Sequence, residues 1–317
     1  MKILAVDDDP VFLDILGQML RAIGQSDIVT ASSGAGALAL LKSPGLVFDS
    51  VLLDIQMPGM TGIELCHAIR SLPDYRRVPI VMITSMSGKH FIDGAFAAGA
   101  TDYVTKPLER TDLMARIGMV TRLVEERQRN MVLTRLADRS SDGFEVDVAF
   151  DTALLLPGFE RSIDYLALEN YLLTLGMKGI LSQSALGIHI INADLIFSRT
   201  SRANFVGMLG DVGSVIADVA KTDQLMLAYA GSGDFVGVAG AGLTFPPQEM
   251  EMMINIGLAD FEDFYASEQL PLPQVRLGSL VKSSLLSLGK PARILERAVI
   301  QAQLGATISP RPKDSAA

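Results

Sequence analysis

The sequence predicts two α/β domains in tandem: a doubly wound sheet of five parallel strands, then a domain built on a mainly antiparallel sheet. Three observations carry this. At 317 residues the chain exceeds the size at which single cores stop growing. From residue 1 to about 120, short apolar runs alternate with helical patterns, as in repeated βαβ units. Across 144–305 the alternation changes, and several segments read as antiparallel strands between strong helices.

In the first half "KILAV" is followed by a helix over 10–24, "SVLLDI" by one over 61–70, and "VPIVMIT" by one over 89–98. "DYVTK" is followed by a helix from 110 onward. In that last helix Leu113, Ile117, Val120, Val124 and Met131 form a heptad-like stripe broken only by Arg127. Its first part covers the sheet, and the charged stretch beyond reads as a helical stalk over 123–143. In the second half helices are expected over 160–174 and 247–265. Met250, Met253, Ile254, Leu258, Phe261 and Tyr265 share one core face of the latter. "LGIHIINADLIF" reads as a buried strand ending in Asp194, and "AYAGSGDFVGVAG" as a hairpin with Asp234 at or just after its tip. "LPQVRLGSLV" precedes a final helix, and residues 306–317 read as a disordered tail.

Composition excludes several functions. A net charge of -9 and a pI near 4.9 leave no basic patch for nucleic acid. The lone Cys66 and the scattered His67, His90 and His189 match no metal-ligand spacing, and fit a reducing, cytoplasmic setting. The opening "MKILAVDDDP" is neither a signal peptide nor an anchor, and no apolar run approaches the length of a membrane span. No membrane insertion is expected.

The chemistry concentrates at strand ends, where open α/β sheets bind ligands. Asp7 and Asp8, Asp54, Thr84 and Lys106 each close one apolar run. On neighbouring strands they bring three carboxylates, a hydroxyl and an ammonium to one rim. Such carboxylates repel one another unless a cation neutralises them, and hard oxygen donors with room for water suit Mg2+.

These residues, with "MPGMTG" after Asp54, closely resemble the receiver domain of two-component response regulators over residues 1–122. The resemblance implies a flavodoxin-like fold and phosphorylation of Asp54 by a sensor histidine kinase or phosphotransfer protein. It implies that Asp7, Asp8 and Asp54 hold Mg2+ and that Lys106 pairs with the phosphoryl oxygens. Thr84 would swing toward the new oxygens, with Tyr103 following into the vacated space as a switch. Gln56 and Met86, each two residues past a site residue, would flank the phosphoryl group.

Residues 144–305 resemble, in degraded form, the GGDEF domain of diguanylate cyclases. Asp151, Leu156 and Pro157 match the opening pattern, while Gly158 replaces an asparagine. At the signature stand Gly231, Ser232, Gly233, Asp234 and Phe235, of which only the first glycine and the phenylalanine are kept. Asp211 is the nearest candidate for guanine recognition, Ser201 or Arg202 stands where asparagine is expected, and Lys221 replaces the arginine of the inhibitory motif. The expectation is a degenerate output domain of nucleotide-cyclase type that binds a protein or nucleotide, in a chain that dimerises on phosphorylation. The alternative is a phosphorylation-activated cyclase whose metal-binding carboxylates are Asp194 and Asp234.

Overall fold

The apolar runs of the first half become strands buried on both faces, the environment that a central parallel strand demands. In this computed structural model the described residues are 1–137, 148–156, 162–220, 225–240, 246–267, 269–282 and 292–305. They divide into two units: Met1–Val146 with Leu166–Leu175, and Asp147–Tyr165 with Gly176–Ala317.

The first unit contains β1 (Ile3–Val6), α1 (Pro10–Ala22), β2 (Ile28–Ala31), α2 (Gly34–Leu41), β3 (Ser50–Leu53) and α3 (Gly62–Arg70). They are followed by β4 (Ile80–Thr84), α4 (Lys89–Ala97), β5 (Asp102–Thr105) and α5 (Arg110–Ala137). The sheet order is β2-β1-β3-β4-β5 with every pairing parallel. The chain reverses its winding between β1 and β3, and that switch point opens a crevice at the carboxyl ends of the strands. The sequence runs named four of these strands. The fifth, β2, lies at the sheet edge with three of its four residues partly or fully exposed, so it lacks an apolar signature.

Leu113, Ile117, Val120 and Val124 of α5 pack into the same core as Ile3, Leu52 and Val81. The stripe therefore serves this unit's own core through Val124, and Arg127 and Met131 lie among side chains outside the described set. The stalk is helical as far as Ala137.

One helix departs from the expected boundaries. α6 (Tyr165–Thr174) comes from the second half of the sequence, yet Leu166–Leu175 cluster with the first unit. It starts later than the expected 160: Ser162 bridges to Leu227 and the Ile163 amide bonds the Leu227 carbonyl at 3.0 Å, which holds the chain just before it extended.

The second unit continues with α7 (Gly176–Leu181), β6 (Gln183–Ile190), α8 (Ala193–Arg199), α9 (Arg202–Ala220), β7 (Met226–Gly231) and β8 (Asp234–Gly240). It ends with α10 (Pro247–Ala259), α11 (Glu262–Ser267), β9 (Val275–Leu277), β10 (Val281–Lys282) and α12 (Ala292–Leu304). Its sheet runs β10-β6-β8-β7, with β9 also on β6, and each of these pairings is antiparallel. At Gly187 an added Cβ would fall 2.0 Å from the Ala298 carbonyl oxygen, so a bare backbone lets α12 lie directly on β6.

Two sequence expectations are corrected here. The strand read through Asp194 stops at Ile190, and Asp194 sits in the exposed first turn of α8. The helix read over 247–265 is two helices, with Asp260 capping the first. Among the described residues one helix, Arg202–Ala220, is long and apolar enough by composition to cross a membrane. Its buried residues, among them Phe205, Met208, Leu209, Val212 and Ile216, join the core of the second unit. Pro157, Gly158, Lys221 and the tail 306–317 lie outside the described residues.

Candidate functional site

The three consecutive aspartates after β1 divide the labour. Asp7 is buried, and its Oδ1 accepts from the Asp9 amide at 2.9 Å. Asp9 caps α1, its Oδ1 accepting from Val11 N at 2.9 Å and Phe12 N at 3.3 Å, with Pro10 in the first turn. Asp8, between them, stays exposed at the rim.

Asp54 follows β3 and is buried, its amide bonded to the Val6 carbonyl at 2.9 Å. A Cβ on Gly62 would meet the Asp54 carbonyl oxygen at 2.0 Å, which explains the glycine that opens α3. Lys106, whose amide bonds the Thr84 carbonyl at 2.7 Å, reaches back across the crevice. Its Nζ lies 2.6 Å from Asp7 Oδ2 and 3.0 Å from Asp54 Oδ1, and 3.9 Å from the centre of the Phe12 ring.

The electrostatics follow from this clamp. Burial pushes the Asp54 carboxyl above its ordinary pKa, and the Asp7 charge adds to the rise, while the Lys106 bond and charge only partly offset it. Burial also presses the Lys106 ammonium downward, but its bonds to Asp7 and Asp54 outweigh that and leave it above its usual value. A carboxylate reluctant to carry charge beside an ammonium is suited to accept an electrophile.

Thr84 ends β4 fully buried, its Oγ1 accepting from Met86 N at 3.3 Å. Tyr103 on β5 is buried too and donates its hydroxyl to the Met86 carbonyl. Burial and the Asp54 charge push the Tyr103 phenol up to about 12, so it remains a donor at neutral pH. Gln56 is exposed and Met86 half-buried. Asp102, fully buried at the start of β5, receives Arg116 Nη1 at 2.8 and 3.1 Å, tying β5 to α5.

Asp7, Asp54, Thr84 and Lys106 thus stand at adjoining strand ends. Among the described residues no three His, Cys, Asp or Glu side chains are gathered as a preformed metal cluster; Asp7 and Asp54 come together at Lys106. The Lys106 ammonium compensates Asp7 and Asp54, and Asp8 is exposed. The roles of Asp9 and Phe12 escaped the sequence reading; the Asp-Pro pair before an apolar helix was the available signal for the cap.

In the second unit β7 and β8 form the expected hairpin, turning at Ser232 and Gly233 with φ of 55° and 82°. Gly231, at φ 97°, has no room for a Cβ, which would fall 2.3 Å from the Asp151 carbonyl oxygen. Ser232 stands in the left-handed region, with its amide bonded to Phe150 O at 2.7 Å. Asp234 is buried, with Oδ1 2.8 Å from His189 Nδ1 and Oδ2 accepting from Gln303 Nε2 at 2.7 Å. Tyr229, its phenol pushed up to about 12 by burial, accepts from the Gly233 amide at 3.0 Å.

The four second-unit candidates therefore do not form one constellation. Asp194 is exposed on α8, Asp211 accepts from the Tyr265 hydroxyl at 3.0 Å, Ser232 shapes the turn, and Asp234 has both oxygens bonded. Arg202 lies over the Phe197 ring at 3.7 Å and donates to the Phe197 carbonyl at 3.0 Å.

Residues 3–118 match the response regulator receiver domain family. The chain is 32% identical over 157 residues to the response regulator PleD of Caulobacter vibrioides, a match covering 50% of this chain and 33% of that protein. It is 38% identical over 122 residues to the heme response regulator HssR of Staphylococcus aureus, covering 38% of this chain and 52% of that one. In these matches the chain spans about a third to a half of the relatives' length. Among solved structures, the chemotaxis protein CheY4 of Vibrio cholerae is 32% identical, with 38% of this chain and 97% of that chain covered and a TM-score of 0.35.

Proposed function

With a response-regulator receiver domain at its N-terminus, we propose that this protein takes a phosphoryl group onto Asp54 from a phosphohistidine of a sensor kinase or phosphotransfer protein. The observation that carries this is the clamp of Lys106 Nζ on Asp7 and Asp54 at 2.6 and 3.0 Å. One Asp54 oxygen attacks phosphorus, and the phosphorus–nitrogen bond to the histidine donor breaks. Charge then grows on the equatorial phosphoryl oxygens, where the Lys106 ammonium offsets it.

Asp7 and Asp54 supply hard, buried oxygen donors, and Asp8 stands at the rim beside them, so the residues suit Mg2+. When bound, that ion would supply further compensation of phosphoryl charge. Thr84 and Tyr103 then read the modification, because both already bond the Met86 backbone beside the pocket.

The second unit is the output, a degenerate GGDEF-like domain that acts by binding a protein or nucleotide. Its support is the antiparallel sheet with its G-S-G-D hairpin, and the engagement of both Asp234 oxygens by His189 and Gln303. Dimerisation on phosphorylation belongs to this reading only beyond Val124, because the apolar stripe up to that point is spent on the core.

The test is incubation of the full chain and Asp54→Ala with acetyl phosphate and Mg2+, read by intact mass and hydroxylamine lability, with GTP consumption followed in parallel. Labelling lost in the variant, without GTP turnover, is the expected result. Labelling retained in Asp54→Ala overturns the phosphoacceptor assignment, and metal-dependent GTP turnover overturns the binding-only output.

A further inference from the structure

The clamp on Lys106 has a third member that carries no charge. Lys106 Nζ lies 2.6 Å from Asp7 Oδ2, 3.0 Å from Asp54 Oδ1 and 3.9 Å from the centre of the Phe12 ring. Two of the three opening aspartates bring the ring there. Asp7 Oδ1 accepts from the Asp9 amide at 2.9 Å, Asp9 Oδ1 accepts from the Phe12 amide at 3.3 Å, and the turn of α1 so begun places Phe12 beside the crevice. Phe12 is half-buried and packs against the core that holds Ile3, Leu13 and Leu52.

The face of an aromatic ring attracts a cation through its quadrupole, more strongly where water is kept away. The Lys106 side chain is 18% exposed, so this contact is partly desolvated. A leucine at position 12 would fill much of the same space without that attraction.

The three partners of the ammonium differ in what loading of Asp54 does to them. A phosphoryl group takes one Asp54 oxygen into a covalent bond, and a cation held at the rim draws on Asp7 and Asp54 together. The ring is drawn on by neither. Its share in holding the ammonium therefore grows as the carboxylates are engaged, and a lysine already in place has less freedom to lose when it turns to the phosphoryl oxygens.

We infer that Phe12 is a positioning residue for Lys106: its ring holds the ammonium at the crevice by cation–π attraction, so that Asp54 loads more readily than with an aliphatic residue at position 12. This rests on the phosphoacceptor reading above.

The experiment compares the full chain as wild type, as Phe12→Leu, and with Phe12 replaced by pentafluorophenylalanine. The fluorinated ring keeps the aromatic shape and reverses the charge distribution of its face. In EDTA the Lys106 ε-methylene protons are followed by NMR, because a ring centred 3.9 Å from Nζ displaces them upfield. That displacement is expected in wild type and absent in Phe12→Leu. Beryllofluoride with Mg2+ is then titrated against each protein. Affinity is expected to fall about fivefold in Phe12→Leu, and at least as far with the fluorinated ring, the effect of one partly desolvated cation–π contact. A loss in Phe12→Leu alone, with wild-type affinity in the fluorinated protein, makes Phe12 plain apolar packing and overturns the assignment. Equal affinity in all three, or no ring-induced displacement in wild type, overturns it too and leaves the phosphoacceptor reading standing. Failure of wild type to load Asp54 at all overturns both.

Discussion

Lys106 Nζ stands 3.0 Å from Asp54 Oδ1, and the same ammonium holds Asp7 Oδ2 at 2.6 Å. One cation thus serves two buried carboxylates. Removing one partner of a buried pair costs about 3–5 kcal/mol, because it strands the other charge. The Lys106 side chain keeps 18% exposure, so Lys106→Met is expected to cost less, about 2 kcal/mol, measured as a shift in urea midpoint in EDTA. Adding Mg2+ is expected to restore part of that loss, since it replaces the missing positive charge; an unchanged midpoint would argue against a cation site at Asp7 and Asp54.

The raised pKa of Asp54 makes a second expectation, with its sign set by linkage. A carboxyl raised in the fold binds protons more tightly there than in the unfolded chain, so stability is fully present below the ordinary aspartate pKa, near 4, and falls as pH rises through the folded value. Asp54→Asn does not titrate and mimics the neutral form. Its melting temperature is expected to exceed that of wild type at pH 7 and to converge with it below about pH 4. Thermal melts from pH 3 to 8 in EDTA check this, and an Asn variant less stable at pH 7 would reverse the sign.

Much of the first unit was legible because a buried parallel strand must be apolar until it reaches the crevice, and then polar where chemistry happens. β1, β3, β4 and β5 announce themselves this way, whereas β2 is a half-exposed edge with no chemistry at its end. Asp9 went unassigned beside Asp7 and Asp8, and the bonds to Val11 and Phe12 reveal it as a helix cap. In the second unit the hairpin was read from its glycines, but Asp194 was misplaced because "IINADLIF" is apolar enough for either strand or helix. The place of α6 was not legible: hydrophobic periodicity says that a helix has a face to bury and does not say on which unit.

Gly62 offers a test of how tightly the backbone positions Asp54. An added methyl would lie 2.0 Å from the Asp54 carbonyl oxygen and 2.9 Å from Ile55 Cα, both backbone atoms with no rotamer to change. Gly62→Ala is expected to destabilise by about 2–3 kcal/mol, at the upper end for overpacking, and to slow labelling of Asp54 by acetyl phosphate. Gly118→Ala, inside α5 where a Cβ meets nothing within 4 Å, is the control expected to leave labelling unchanged and to raise stability by about 0.5–1 kcal/mol.

The last expectation concerns Asp234, the carboxylate that the cyclase reading would spend on a metal. Its two oxygens bond the half-buried His189 Nδ1 and the exposed Gln303 Nε2, joining β8 to β6 and to α12. Asp234→Ala removes two hydrogen bonds whose other partners reach solvent, at about 1 kcal/mol each. Urea unfolding is expected to show a loss of about 2 kcal/mol in the second unit, with beryllofluoride loading of Asp54 unaltered. The opposite pattern, unchanged unfolding with loss of metal-dependent GTP consumption, would mean that Asp234 is a ligand first and a structural tie second. Asp234→Asn separates the two roles further. An amide keeps one acceptor oxygen and adds a donor that opposes the Gln303 amide, so the cost is expected to fall to about half that of the alanine variant, whereas a metal ligand would fail equally in both.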